Sequence, residues 1–386
     1  MEPLHIMGGT AARDAYFTPE FLFGRGFSYA GIGWHPDTVD PFEGYSAEEA
    51  VEILHNFATA LREEPTVRDM VGNVQKLYGV GLSKTTEPLL TFLDSPGKGL
   101  LDLTFLIVPT WPHETYAQPE GANQVMVFLT ESDLVTSAME SLHTDALRGS
   151  SPTYRSYEVA GGPHAPDVPW MREVGPLWGV NSEGTTPLDW TPVMRALFIA
   201  GHRWVTEGAE PPPSMVLTEA PADQIDPVYQ HEYGLELVTG IARDENGNAL
   251  GGIRLPDLAI GRGQFIAVDP ASFLGMGLFG AFHDLQCESV PDGSPRFPDH
   301  AAYVNQFTQQ AQTLAGQGFL LSMDAEGLIA AATASNVGDP IACAPSPLPG
   351  TGDTTGSGLP TPLLALVGLI LFGAGLGLRR WSKASR

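Results

Sequence analysis

Val74-Gln75-Lys76-Leu77-Tyr78-Gly79-Val80-Gly81-Leu82-Ser83-Lys84-Thr85-Thr86-Glu87-Pro88-Leu89-Leu90 is the stretch whose reading decides the fold. Its first nine residues read as a buried strand, and the residues after Ser83 open a helix. A serine at a tight strand-to-helix turn is the layout of a nucleophile elbow, in which the turn lifts the side-chain oxygen above the sheet. The helix N-terminus that follows favours negative charge developing on a substrate oxygen. Such a turn crowds strand against helix and asks for small residues two before and two after the serine. Gly81 meets that need, and Thr85 stands where a second glycine is usual.

Working outward, Leu101 to Val108, Gln124 to Thr130 and Tyr154 to Ala160 read as further strands, and Gly26 to Trp34 as an early buried one. Val51, Ile53, Leu54, Phe57, Ala58 and Leu61 recur at helical spacing behind Ser46 and Glu49, the two positions of a capping box. Strands alternating with helices predict an α/β fold, a mostly parallel sheet covered by helices on both faces. Beyond residue 165 the pattern changes. A long helix is expected from Asp189 to Gly208, a hairpin turn at Asp244-Glu245-Asn246-Gly247-Asn248, and helices over Ala301 to Gly316 and Met323 to Ala334.

A serine nucleophile needs a base to take its proton and a third group to orient that base. Open α/β sheets carry such groups at the C-terminal ends of their strands. Glu131-Ser132-Asp133 follows the strand ending at Thr130, so Asp133 is the acid candidate and Glu131 the alternative acid. His164, in Gly161-Gly162-Pro163-His164-Ala165, follows the next strand and is the base candidate. His113 and His143 follow no strand end in the right order and read as loop residues. Ser83, Asp133 and His164 occur in the chain order serine, acid, histidine. The oxyanion would meet the backbone N–H of Lys84 and a second N–H from the early loop at Gly8 and Gly9.

The chain has 386 residues, 43% of them hydrophobic, enough for a sizeable core. Its net charge of -25 repels phosphate backbones and argues against a nucleic-acid partner. Two cysteines, Cys287 and Cys343, are too few for a zinc site of cysteine ligands, and no metal or organic cofactor is implied. They read equally as one disulfide of an exported protein or as two thiols.

Leu363 to Leu378 is a continuous apolar run followed by Arg379, Arg380, Lys383 and Arg386. Extended back to Leu359 it approaches the roughly 20 residues that span a bilayer as a helix. The basic tail predicts a cytoplasmic C-terminus and an extracytoplasmic body. Leu348-Pro349-Gly350-Thr351-Gly352 precedes the run. This order of motif, apolar span and basic tail resembles the cell-wall sorting signal of Gram-positive bacteria. The resemblance implies a sortase-type transpeptidase as partner, cleaving between Thr351 and Gly352. Met1-Glu2-Pro3-Leu4-His5 has neither a basic start nor an apolar run, so an export signal is expected upstream of this start.

Taken together these segments resemble the large bacterial α/β-hydrolase-domain family, whose elbow has the form Gly-x-Ser-x-(Thr/Ser)-Gly. Glu131-Ser132-Asp133 is similar to that family's Glu-Thr-Asp segment, and Tyr157-Glu158-Val159-Ala160-Gly161-Gly162-Pro163-His164-Ala165 to its Tyr-Glu-Val-Ala-Gly-Thr-x-His-Ala segment. The likeness continues through Arg203 to Gly208, Pro211-Pro212-Pro213-Ser214, Gly252 to Asp257, and Gly318 to Leu321 with Asp324, covering about residues 9 to 336. Two departures stand out: Lys84-Thr85-Thr86 at the elbow, and the family's early strands, which are missing. The resemblance implies an α/β-hydrolase fold with its N-terminal strands absent. Its catalytic core covers 1–215, its extension 216–340, a linker with the sorting motif 341–361, and a transmembrane helix with basic tail 362–386. It further implies hydrolysis of a small carboxylic ester. The rival expectation is a decayed, surface-displayed binding or scaffold protein on the same fold.

Overall fold

A computed structural model of the protein describes residues 16–32, 47–109, 121–135, 148–168, 185–220, 240–268, 279–339 and 342–343. In chain order the elements are α1 (Pro19–Phe23), α2 (Ala47–Glu63), α3 (Pro65–Val71), β1 (Tyr78–Leu82), a 3-10 turn at Ser83–Thr85, α4 (Thr86–Leu93), β2 (Leu103–Ile107), β3 (Gln124–Thr130), α5 (Glu131–Val135), β4 (Tyr154–Val159) and α6 (Thr191–Glu207). The extension adds β5 (Glu219–Ala220), β6 (Gly240–Ile241), α7 (Pro256–Ala259), β7 (Gly263–Ile266), β8 (Ala281–Asp284), α8 (His300–Gly316) and α9 (Ser322–Ala334).

Strands β1 to β4 form one parallel sheet in that order, with Tyr78 opposite Leu103 and Leu103 opposite Gln124. Burial on both faces explains why β2 and β3 read as nearly unbroken apolar runs; β4 is equally buried but carries Arg155, Ser156 and Glu158. Alternation along β1 sends its neighbours to opposite faces. Leu89 of α4 lies against Gly79 and Gly81, where a Cβ atom would come within 3.1 Å and 2.9 Å of it. Tyr78 points the other way, and its Oη shares a hydrogen bond with His202 Nδ1 of α6 at 2.8 Å. Burial, with Asp102 adding to it, pushes the Tyr78 phenol up to about 12, and burial lowers His202, so a neutral phenol meets a neutral imidazole. Gly201 of α6 lets Met126 and Leu103 close on the helix. The sheet is therefore covered on both faces, by α4 on one and α6 on the other.

The far edge of β4 is not left bare. Glu158 N–H donates to Met215 O and Ile253 N–H to Glu158 O, so the segments at Met215 and Ile253 continue the sheet as isolated parallel bridges. At the other margin β1 is the outer strand among the described residues, and Val80 on it is 42% exposed.

Two expectations are corrected. The strand expected over Gly26 to Trp34 does not form over its described part: residues 27–32 are irregular and mostly exposed, and Gly33 and Trp34 lie outside the described residues. Phe27 packs inward, against Phe198, Tyr78 and His202. An apolar composition was there, but among the described residues no strand pairs with it. The elbow strand is also shorter than its apolar run, beginning at Tyr78 rather than Val74. The hairpin turn expected at Asp244 to Asn248 forms: Asp244 N–H donates to Asn248 O, and extended backbone flanks it in β6 and in the bridges at Arg243, Ala249, Gly251 and Ile253.

Cys287 and Cys343 are joined in a disulfide. Closing a loop over a sequence separation of 56 restrains the unfolded chain, an effect worth about 4 kcal/mol in the chain-entropy account. Gly8, Gly9, Ser46, His113, His143, the motif at 348–352 and the apolar run all lie outside the described residues. Among the described residues no helix is long and apolar enough to cross a membrane.

Candidate active site

The three strand-end residues converge at the C-terminal edge of the sheet. Ser83 follows β1, Asp133 follows β3 and His164 follows β4, and all three are buried. Ser83 has φ 52, a left-handed conformation that non-glycine residues rarely hold. The local sequence enforces it. A Cβ at Gly81 would lie 2.9 Å from Leu89 Cδ1, from Thr85 O and from Thr86 Cα, so only glycine lets the helix turn back so sharply. Thr85, which departs from the usual small residue, has a use of its own: its hydroxyl donates to Leu82 O at 2.7 Å and accepts from Leu82 N–H at 2.8 Å. Thr86 Oγ1 donates to Ser83 O at 2.6 Å.

Ser83 Oγ lies 2.8 Å from His164 Nε2, and His164 Nδ1 lies 2.6 Å from Asp133 Oδ1. An ionised carboxylate only accepts, so Nδ1 carries the proton and Nε2 is left to accept from the serine hydroxyl. Asp133 Oδ2 is held in turn by Thr130, which donates to it from N at 2.8 Å and from Oγ1 at 2.7 Å. The arrangement can accept a proton from Ser83 and bear the resulting positive charge next to a buried carboxylate.

Glu131, the alternative acid, is fully buried and does not meet the imidazole. Its Oε2 accepts from Gly161 N–H at 2.7 Å, and its Oε1 pairs with Arg243 Nη1 at 2.6 Å. Lys84 sits in the 3-10 turn directly after Ser83, where its backbone belongs to the elbow. Several partners escaped sequence reasoning. Trp190 Nε1 donates to Pro163 O at 2.9 Å and braces the histidine turn, with its ring packed on Phe128 of β3. Arg243 arrives from the extension. Neither has a sequence signal, because each contact is made only when distant segments pack.

The histidine turn depends on Gly161, at φ +65. A Cβ there would fall 2.4 Å from Leu258 Cδ1 and 2.7 Å from Phe265 Cβ. Gly161→Ala is therefore expected to cost about 2–4 kcal/mol, from strain plus overpacking, measured by urea denaturation. A midpoint unchanged by the substitution would contradict this packing.

A cleft of about 850 Å³, lined among others by Asn246, Arg254, Arg296, Gln306 and Gln310, belongs to the extension and contains none of the three strand-end residues. Among the described residues no cluster of three or more His, Cys, Asp or Glu is placed to hold a metal ion.

Comparison with protein families matches residues 27–330 to the family described as alpha/beta hydrolase domain. No curated protein and no solved structure matches the chain.

Proposed function

We propose that this chain, which belongs to the alpha/beta hydrolase domain family, hydrolyses carboxylic esters by acyl transfer through Ser83, His164 and Asp133. The observation that carries the reading is the continuous hydrogen-bond chain from a serine at positive φ, through a buried imidazole, to a buried carboxylate. Ser83 Oγ attacks the acyl carbonyl carbon while His164 Nε2 takes its proton. The tetrahedral oxyanion gathers its charge near the elbow, where the backbone N–H of Lys84 is the proposed donor. The carbonyl reforms, the C–O bond to the alcohol breaks, and His164 returns the proton to the leaving oxygen. Water then attacks the acyl-enzyme by the same exchange and frees the acid. Asp133 keeps Nδ1 protonated and stabilises the imidazolium throughout.

The test is labelling of the protein by a fluorophosphonate, which reacts with base-activated serines whatever the natural substrate. The adduct is expected on the peptide that contains Ser83. A folded protein that takes no label would sink the hydrolase reading and turn the weight to a surface-displayed binding role.

The same proposal puts the body outside the cytoplasm, anchored by its C-terminus. Its supports are the Leu348-Pro349-Gly350-Thr351-Gly352 motif ahead of the apolar run and basic tail, and the Cys287–Cys343 disulfide, a bond that persists in oxidising compartments. A sortase-type transpeptidase is expected to cleave between Thr351 and Gly352. Cleavage elsewhere, or none, would remove the wall-anchoring part of the proposal.

A further inference from the structure

Three consecutive residues after β3 are stitched to the turn that carries His164. Glu131 accepts from Gly161 N–H at 2.7 Å, Ser132 N–H donates to Gly162 O at 3.1 Å, and Asp133 meets His164 Nδ1 at 2.6 Å. The last contact orients the imidazole directly. The first two set where the imidazole starts from. The Glu131 stitch carries a cost, because its side chain is 0% exposed and a carboxylate without water needs a compensating cation.

That cation is Arg243, whose side chain is 24% exposed and whose Nη1 lies 2.6 Å from Glu131 Oε1. The contact is an ion pair without hydrogen-bond alignment, so what Arg243 supplies is charge rather than a directional bond. Arg243 stands at the base of the extension's hairpin, bridged to Ala249, with Asp244 closing the turn. The extension meets the same histidine turn a second time, where Leu258 and Phe265 close on Gly161.

We infer that Arg243 is a positioning residue for the reaction: by neutralising Glu131 it holds the Gly161 turn, and so keeps His164 Nε2 in reach of Ser83. The inference rests on the acyl-transfer reading of Ser83, His164 and Asp133. Without Arg243 the charged Glu131 carboxylate loses its compensation and swings toward water. The bond to Gly161 N–H then breaks and the turn drifts. A misplacement near 1 Å costs about 100-fold in rate. Glutamine at 131 bears no charge, and its side-chain oxygen still accepts from Gly161 N–H.

The experiment is a double-mutant cycle on the full chain. Arg243→Ala is expected to slow fluorophosphonate labelling about 100-fold and to lower kcat on an activated ester with little change in KM. Adding Glu131→Gln to Arg243→Ala is expected to restore most of the lost rate, a rescue that simple loss of packing would not produce. Where Arg243→Ala does not fold, Arg243→Gln with and without Glu131→Gln makes the same comparison. Labelling of the Arg243 variant at the wild-type rate, or a loss that Glu131→Gln does not relieve, would overturn the inference. A second readout is independent of turnover. The proton shared by His164 Nδ1 and Asp133 gives a low-field resonance, expected to be lost or broadened in the Arg243 variant and recovered in the double variant. An unchanged resonance overturns the inference. If the wild-type protein takes no probe, the hydrolase reading fails by itself, and this resonance still decides the role of Arg243.

Discussion

Ser83→Ala is expected to take up no fluorophosphonate and to hydrolyse activated esters at least about 10⁴-fold more slowly than wild type. The size of the effect follows from the geometry. Ser83 Oγ is the hydroxyl held 2.8 Å from His164 Nε2, and an alanine methyl offers neither a lone pair nor a proton. The small activity left would come from the elbow's backbone dipoles acting on a water molecule. Stability should move independently of activity. Alanine at φ 52 keeps the left-handed strain, whereas glycine relieves it, so Ser83→Gly should be more stable than Ser83→Ala by about 1–2 kcal/mol although both are inactive. Thermal unfolding of the two variants measures this. Equal melting temperatures would mean that the elbow is not strained, and residual labelling of Ser83→Ala would place the nucleophile elsewhere.

Asp133→Asn is expected to lower kcat by about 10⁴-fold while leaving the fold in place. Asp133 accepts on both oxygens, from Thr130 N and Oγ1 on Oδ2 and from His164 Nδ1 on Oδ1. Asparagine has one accepting oxygen. With that oxygen kept by the two Thr130 donors, the amide NH₂ faces His164 Nδ1 and selects the tautomer protonated on Nε2. The nitrogen facing Ser83 then carries a proton and cannot accept another. Glu131→Gln keeps an acceptor for Gly161 N–H and is expected to lose less than about tenfold. Steady-state kinetics on an activated ester ranks the two variants. The reverse ranking would make Glu131 the acid and contradict the role drawn for Asp133.

Much of the sheet was legible because its strands announce themselves. Leu103–Ile107 and Gln124–Thr130 are apolar on both faces, as only strands sandwiched between helical layers need to be. The elbow was legible because a glycine two before a serine, at the end of such a strand, has a steric reason to be there. The Gly26 to Trp34 stretch misled for the complementary reason: small and apolar residues resemble a buried strand until one asks what would pair with it. At Thr85 the departure from the expected small residue is accommodated by the turn, whose Leu82 its hydroxyl closes.

By itself, then, the sequence determined the alternation of strand and helix, the serine turn, and a short list of strand-end acids and histidines. These are local properties, written in periodicity and in the steric demands of one turn. Tertiary structure alone decided which carboxylate faces the imidazole. Glu131 and Asp133 are two residues apart on one short helix with the same charge, so the sequence ranks Asp133 first and keeps Glu131 as its alternative. The choice lies in what surrounds each: Thr130 turns Asp133 toward His164, while Arg243 and the Gly161 N–H draw Glu131 away. The pairing of Cys287 with Cys343, and the closure of the β4 edge by Met215 and Ile253, were likewise decided by packing between distant segments, which spacing in the chain does not encode.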